Sequence, residues 1–161
     1  MTVLESQSRP GGGFRGEALM PSGLAALEQL GLLPLPSRVA QLPLQGWSFW
    51  LDGRPLFTAR EPMGCHHPCT LVDHEHLLQH WADQLQQRPS ARLLTGTAAV
   101  GLHTAAGRIA GVRLADGGTL AADLVVACDG RTSRLRLSAG LEPKQQQRPI
   151  DVLWFRLGGP A

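Results

Sequence analysis

The chain has 161 residues, 43% of them hydrophobic, which is enough for one compact domain or for parts of two. Charged residues make up 17% and the net charge is +2, with no basic run or arginine stripe, so the composition argues against nucleic acid or an anionic membrane as a partner. The N-terminus lacks the basic and apolar regions of a signal peptide, no segment approaches the roughly 20 apolar residues of a spanning helix, and the cysteines, Cys65, Cys69 and Cys128, are odd in number and fit no disulfide framework, which together point to a reducing, cytoplasmic setting.

Thr2 to Glu5 reads as the tail of a short strand, and Ser6 to Gly16 as a loop held open by Pro10 and consecutive glycines. Ser22 is placed to cap a helix carrying Leu24, Leu27 and Leu30, with Gly31 where a helix end favours glycine. Leu44 to Leu51 and Arg54 to Ala59 flank Asp52-Gly53, a hairpin signal. Asp73 to Gln87 reads as a second helix whose apolar residues Leu77, Leu78, Trp81 and Leu85 share one face. Short strands follow at Arg92 to Leu94, Ala98 to His103, Arg108 to Leu114 and Thr119 to Ala121. The continuous apolar run within Asp123 to Cys128 suits a strand buried on both faces of a parallel sheet. Ser133 then caps a helix through Ala139, and Ile150 to Leu157 reads as a final strand. The order predicts an α/β core carrying an antiparallel insertion.

Chemistry concentrates between Ala122 and Arg136, where a predicted buried strand ends at Asp129-Gly130 and a Ser133-capped helix follows. Open α/β sheets bind ligands at the carboxyl ends of their strands. Free N–H groups at a helix start suit a phosphate, a glycine admits close backbone approach, and a carboxylate accepts from hydroxyl or amide groups. The same residues also fit a plain turn between strand and helix. Arg15, in Phe14-Arg15-Gly16, precedes the first helix, and Glu5 ends the first strand, where a carboxylate is a natural acceptor for a vicinal diol. Gly11 to Gly16 spells G-x-G-x-x-G but neither follows a strand at once nor opens a helix, so it reads as a loop rather than a dinucleotide fingerprint.

These segments, in this order, resemble the FAD-dependent monooxygenases (aromatic-ring hydroxylases) of the para-hydroxybenzoate hydroxylase class. The apolar strand, Asp129-Gly130, Ser133 and Arg136, with Arg134 nearby, resemble that family's Asp-Gly motif, whose aspartate helps hold the pyrophosphates of FAD and the nicotinamide cofactor. Phe14-Arg15-Gly16 and the helix ending Leu30-Gly31-Leu32 resemble its pyrophosphate-binding arginine loop, and Val3-Leu4-Glu5 the strand whose acid binds the adenosine ribose. The resemblance also implies that Val100 lies near the adenine, while Asp73 departs from the Arg or Gln common in relatives. It implies a partial FAD/NAD(P)-binding, Rossmann-like domain of the glutathione-reductase type at residues 1–38 and 70–141, and parts of an antiparallel substrate domain at 39–69 and 142–161. The family's N-terminal G-x-G-x-x-G and C-terminal Gly-Asp segments are expected to lie outside this sequence.

The implied cofactor is FAD, with NAD(P)H as co-substrate and a small organic molecule as the oxygenated substrate. Halogenase, epoxidase and reductase chemistries stay open within the family. The expected cofactor contacts are Glu5, Arg15, Val100, Asp129 and Gly130; no residue is assigned a catalytic role, and the chain alone is expected to be inactive. Two alternatives stand beside this reading. One is a non-catalytic binding module on the same scaffold. The other is a metal-binding protein built on Cys65, His66, His67, Cys69, His74 and His76, although their spacing matches no standard zinc site and no metal ligand is assigned. Cys128 is expected to be a small core residue, and the four tryptophans, Trp47, Trp50, Trp81 and Trp154, to pack in the core or the hairpin. An unpaired strand edge in a parallel sheet would favour self-association.

Overall fold

A computed structural model gives the fold and describes residues 1–9, 18–64, 66–144 and 153. In chain order the elements are β1 (Thr2–Leu4), β2 (Ala18–Leu19), α1 (Pro21–Gln29), β3 (Gln41–Pro43), β4 (Gly46–Leu51), β5 (Arg54–Arg60), β6 (Thr70–Val72), α2 (His74–Gln86), β7 (Arg92–Leu94), β8 (Ala99–Ala105), β9 (Arg108–Leu114), β10 (Thr119–Ala121) and α3 (Arg134–Ser138). The class is mixed α/β, as the pattern predicts. The chain divides into two compact units, Met1–Arg9 with Ser90–Ala161, and Pro10–Pro89.

In the first unit β1 pairs in parallel with β7, in the register Thr2↔Arg92, Val3↔Leu93 and Leu4↔Leu94. A parallel pair needs a long crossover, and the whole second unit lies between these two strands in sequence. An antiparallel meander, β8–β9–β10, follows, and β9 is its central strand. Val112 of β9 and Leu135 of α3 are buried, and the Ser138 hydroxyl of α3 accepts the Leu102 N–H of β8 at 3.1 Å.

The second unit is built on a three-stranded antiparallel sheet in the order β2–β6–β3. Central strand β6 alternates, with Thr70 and Val72 buried and Leu71 turned outward. Leu35, Val39, Val72 and Leu77 form the core, with Leu19, Leu27, Leu33 and Trp81 packed against it. The sheet's three strands, each of two or three residues, escaped the sequence reading. The helices match closely. Asp73 accepts the His76 N–H at 3.0 Å and so stands as the N-cap of α2 rather than its first residue. In α1 the cap is Met20, with no side-chain bond, and Pro21 takes the first helical position, so Ser22 lies inside the helix instead of capping it.

The hairpin β4–β5 turns at Asp52 and Gly53, both at positive φ (48° and 75°), the backbone of a tight two-residue turn. Phe49 and Phe57 face each other across it, with ring centroids 4.4 Å apart. Trp47 donates Nε1–H to Glu61 Oε1 at 2.6 Å and Trp81 packs on the core, whereas Trp50 is 62% exposed; Trp154 lies outside the described residues.

One strong expectation fails. Residues 123–128 form no strand, and Leu124 and Val126 are 80% and 74% exposed. An apolar run becomes a buried strand only where neighbours supply ladder bonds on its edges and cover on its faces. Among the described residues the last such bond here runs from Ala122 N–H to Ala110 C=O at 2.9 Å, and none follows it along 123–128. Cys128 is consequently exposed rather than a core residue, while Cys69 is buried. The strand predicted at Ile150 to Leu157 (apart from Leu153), the loop arginine Arg15 and the glycines of Gly11 to Gly16 lie outside the described residues.

Gly111, in the middle of β9, adopts φ +149°, and a Cβ built there would stand 2.1 Å from the Leu120 carbonyl oxygen and 2.9 Å from the Ala121 Cα. Neither backbone atom can yield without breaking the β9–β10 register. Gly111→Ala is expected to cost about 3 kcal/mol, read as a lowered thermal midpoint with loss of amide protection across β10. An unchanged midpoint would contradict the close approach.

Candidate functional site

Glu5 follows β1 directly. Its backbone extends the pairing with the β7 side: its N–H donates to Leu94 C=O at 2.9 Å and its C=O accepts from Thr97 N–H at 2.9 Å. The side chain is half-buried, and Oε1 accepts the Gln7 N–H at 2.8 Å and the Ser6 hydroxyl at 3.3 Å. A carboxylate offers about four acceptor positions, so Oε2 keeps its capacity for further donors. The site expected at this strand end therefore has a fixed backbone and a carboxylate ordered by its own loop.

Asp129 has the denser network. Its Oδ1 accepts a short hydrogen bond from the Ser133 hydroxyl, and its Oδ2 accepts the Leu135 N–H at 3.2 Å. Ser133 in turn accepts the Arg136 N–H at 3.0 Å and is buried. Arg136 closes the arrangement by donating from Nη2 to the Arg131 carbonyl at 2.6 Å, while its buried Nε finds no partner among the described residues. The Ser133 hydroxyl bond, ahead of the backbone N–H groups of Leu135 and Arg134, holds the Asp129 carboxyl below its ordinary value; partial desolvation opposes this and loses. The N–H groups that the sequence reading offered to a phosphate are thus already taken up by Asp129 and Ser133.

Gly130 sits at φ +85°, the left-handed region that glycine enters without strain, and its carbonyl accepts the Ser133 N–H at 3.2 Å. A Cβ there would meet nothing within 4 Å, so the backbone conformation alone calls for glycine. Val100 is half-buried in β8, where the register against β9 shifts between Ala99 and Gly101. Glu5, Val100, Asp129 and Gly130 all fall within the same compact unit, in three separate segments of it. Arg15 lies outside the described residues.

Sequence reasoning placed Ser133 as a helix cap but missed its second bond, to Asp129. The signal was the four-residue spacing between Asp129 and the capping serine, which brings both to one end of α3. Among the described residues, no group of three or more His, Cys, Asp or Glu side chains is arranged to hold a metal ion. His67 pairs instead with Glu28 at 3.0 Å, and His76 with Asp73 at 3.0 Å; Cys65 is outside the described residues. No described helix is long and apolar enough to cross a membrane.

The sequence profile of the FAD binding domain family matches residues 1–158. The chain belongs to the FAD-dependent monooxygenase family. It is 32% identical to 6-methylpretetramide 4-monooxygenase of Streptomyces rimosus, over 100% of this chain and 40% of the relative. In fold it is similar to PqsL of Pseudomonas aeruginosa, solved in complex with 2-aminobenzoylacetate, at a TM-score of 0.73 and 21% identity over 92% of this chain and 41% of that one. It is also similar to 2-methyl-3-hydroxypyridine-5-carboxylic acid oxygenase, at a TM-score of 0.65 and 22% identity over 85% of this chain and 34% of that one. The chain spans about two fifths of the length of the curated relative.

The Asp129 network makes a pH prediction. Because the folded carboxyl is held below its ordinary value, its contribution to fixing α3 is complete above the ordinary aspartate value of about 3.9 and is lost as pH falls through the lowered one. The amide shifts of Leu135 and Arg136 should hold steady from neutral pH down to that ordinary value and move only below it. A midpoint at or above the ordinary value would contradict the network.

Proposed function

We propose that this chain forms part of the FAD cradle of a flavin-dependent monooxygenase, with Asp129 and Gly130 as its central cofactor contacts. The observation that carries the reading is the joint one: an Asp-Gly with glycine at φ +85°, an ordered carboxylate and a capped short helix, in a chain whose family match spans residues 1–158. Glu5 would receive the ribose hydroxyls of the adenosine half, Arg15 the pyrophosphate, and Val100 the adenine side. The donor set fits such a group, since FAD carries vicinal hydroxyls that need acceptors and a diphosphate that needs a cation.

When bound, FAD supplies the redox chemistry, drawing electrons from NAD(P)H for the oxygenation of a small organic substrate. The residues described here bind and orient rather than react. Asp129 offers ionised acceptors at neutral pH, Gly130 keeps its backbone clear of side-chain bulk, and Glu5 stays anchored through β1. Residues 1–38 and 70–141 would contribute to the cofactor side, and 39–69 with 142–161 to the substrate side. In the cell this reading places the protein in the cytoplasm, and the isolated chain is expected to bind FAD weakly and to turn over no substrate.

The test is an FAD titration of the folded chain followed by flavin fluorescence, beside the double variant Arg15→Ala, Asp129→Ala. Saturable binding weakened at least about tenfold in the variant is the expected outcome, the size of losing two charge-assisted contacts. Equal binding by both proteins, or none by the folded parent chain, would overturn the assignment.

A further inference from the structure

Ser133 makes two bonds with one hydroxyl. Its oxygen accepts the Arg136 N–H at 3.0 Å, which caps α3, and its only proton goes to Asp129 Oδ1. It is buried, whereas Asp129 is exposed, so the serine is the fixed member of the pair and the carboxylate is the one presented outward. An aspartate side chain has several staggered settings open to it; here both carboxylate oxygens of Asp129 are held, one by the Ser133 hydroxyl and one by the Leu135 N–H.

We propose that Ser133 is a positioning residue: it orients the Asp129 carboxylate so that the lone pairs left over after Ser133 and Leu135 are served are offered to hydroxyl donors of the ligand. This rests on the FAD reading for the identity of the ligand but not for the coupling between the two side chains. It gives the serine a part in ligand recognition beyond the capping that its place in the sequence suggests. It also narrows the ligand group at Asp129. The start of α3 is already served by the chain's own carboxylate and hydroxyl, so the group that fits there is a donor such as a polyol hydroxyl, and a phosphoryl oxygen would meet a carboxylate instead of free N–H groups.

Capping and positioning separate by substitution. Glycine is an acceptable N-cap that costs a helix only a few tenths of a kcal/mol relative to serine, introduces no charge and has no proton to donate. Threonine keeps both the acceptor and the donor. The experiment compares the full chain with Ser133→Gly and Ser133→Thr, following the Asp129 carboxyl by carbon-detected NMR across the acid range and FAD affinity by flavin fluorescence. The expected result is an Asp129 titration that rises toward the ordinary carboxylate range in Ser133→Gly and stays low in Ser133→Thr, with α3 amide protection kept in both. FAD affinity should fall by about tenfold in the glycine variant, the size of one bond to a charged group, and be restored in the threonine variant.

An Asp129 titration that is the same in all three proteins would overturn the proposal, because the serine would then be a cap alone. A shifted titration with unchanged FAD affinity would overturn the recognition role while leaving the hydroxyl–carboxylate bond in place. If the parent chain binds no FAD, the FAD reading falls, and the carboxyl titration still decides whether Ser133 sets Asp129. Inorganic pyrophosphate, added as a separate probe, should leave the Arg134, Leu135 and Arg136 amide resonances unmoved; saturable movement would overturn the hydroxyl preference.

Discussion

The parallel ladder between β1 and β7 is the constraint on which the first unit depends. Three residues at the start of the chain are held in register with Arg92, Leu93 and Leu94, and the Glu5 backbone adds bonds to Leu94 and Thr97 beyond them. Everything from Pro10 to Pro89 is therefore an excursion between two neighbouring strands. Closing so long a loop carries an entropic cost that grows only slowly with its length, and the excursion has a core of its own around Leu35, Val39, Val72 and Leu77. The ladder is also what gives Glu5 a fixed place: without it, the residue is a glutamate near a chain end.

The second organising interaction is local. Between Asp129 and Arg136 the chain turns through a left-handed glycine and begins a five-residue helix. So short a helix has little stability of its own. It persists because Asp129 and Ser133 take the backbone donors at its start, because Leu135 is buried, and because Ser138 accepts a bond from β8. The same carboxylate that stabilises the turn is the one best placed to meet a ligand, which ties local order to recognition in a single group.

Much of this was legible in the residues. Asp52-Gly53 announced its hairpin because a two-residue turn needs positive φ at both positions, and few pairs supply that readily. The α2 helix was legible because its apolar residues, Leu77 and Trp81 among them, share one face. Ser133 was legible as a cap. What stayed hidden depended on partners distant in sequence. The strands β2, β3 and β6 are too short to show a period, and they exist because β6 finds a neighbour on each edge. The reverse error came at Leu124 and Val126, where the composition of a buried strand is present but no described residue pairs with it. Of the candidate site, the residue types at Glu5, Asp129 and Gly130 were readable, whereas the serine-to-aspartate bond needed three dimensions.

The separation of β1 from β7 along the chain has a consequence for the order of events during synthesis. Residues 10–89 leave the ribosome as a contiguous stretch with all their mutual partners present, and the β4–β5 hairpin within them joins strands only two residues apart. Local pairings of that kind form in roughly microseconds. β1, made before that stretch, must wait for Arg92 to Leu94; at about 10 residues per second that wait lasts on the order of 10 seconds. β1 is thus held without its β7 partner while a whole compact unit is completed behind it, so a strand translated before that unit acquires its pairing after it.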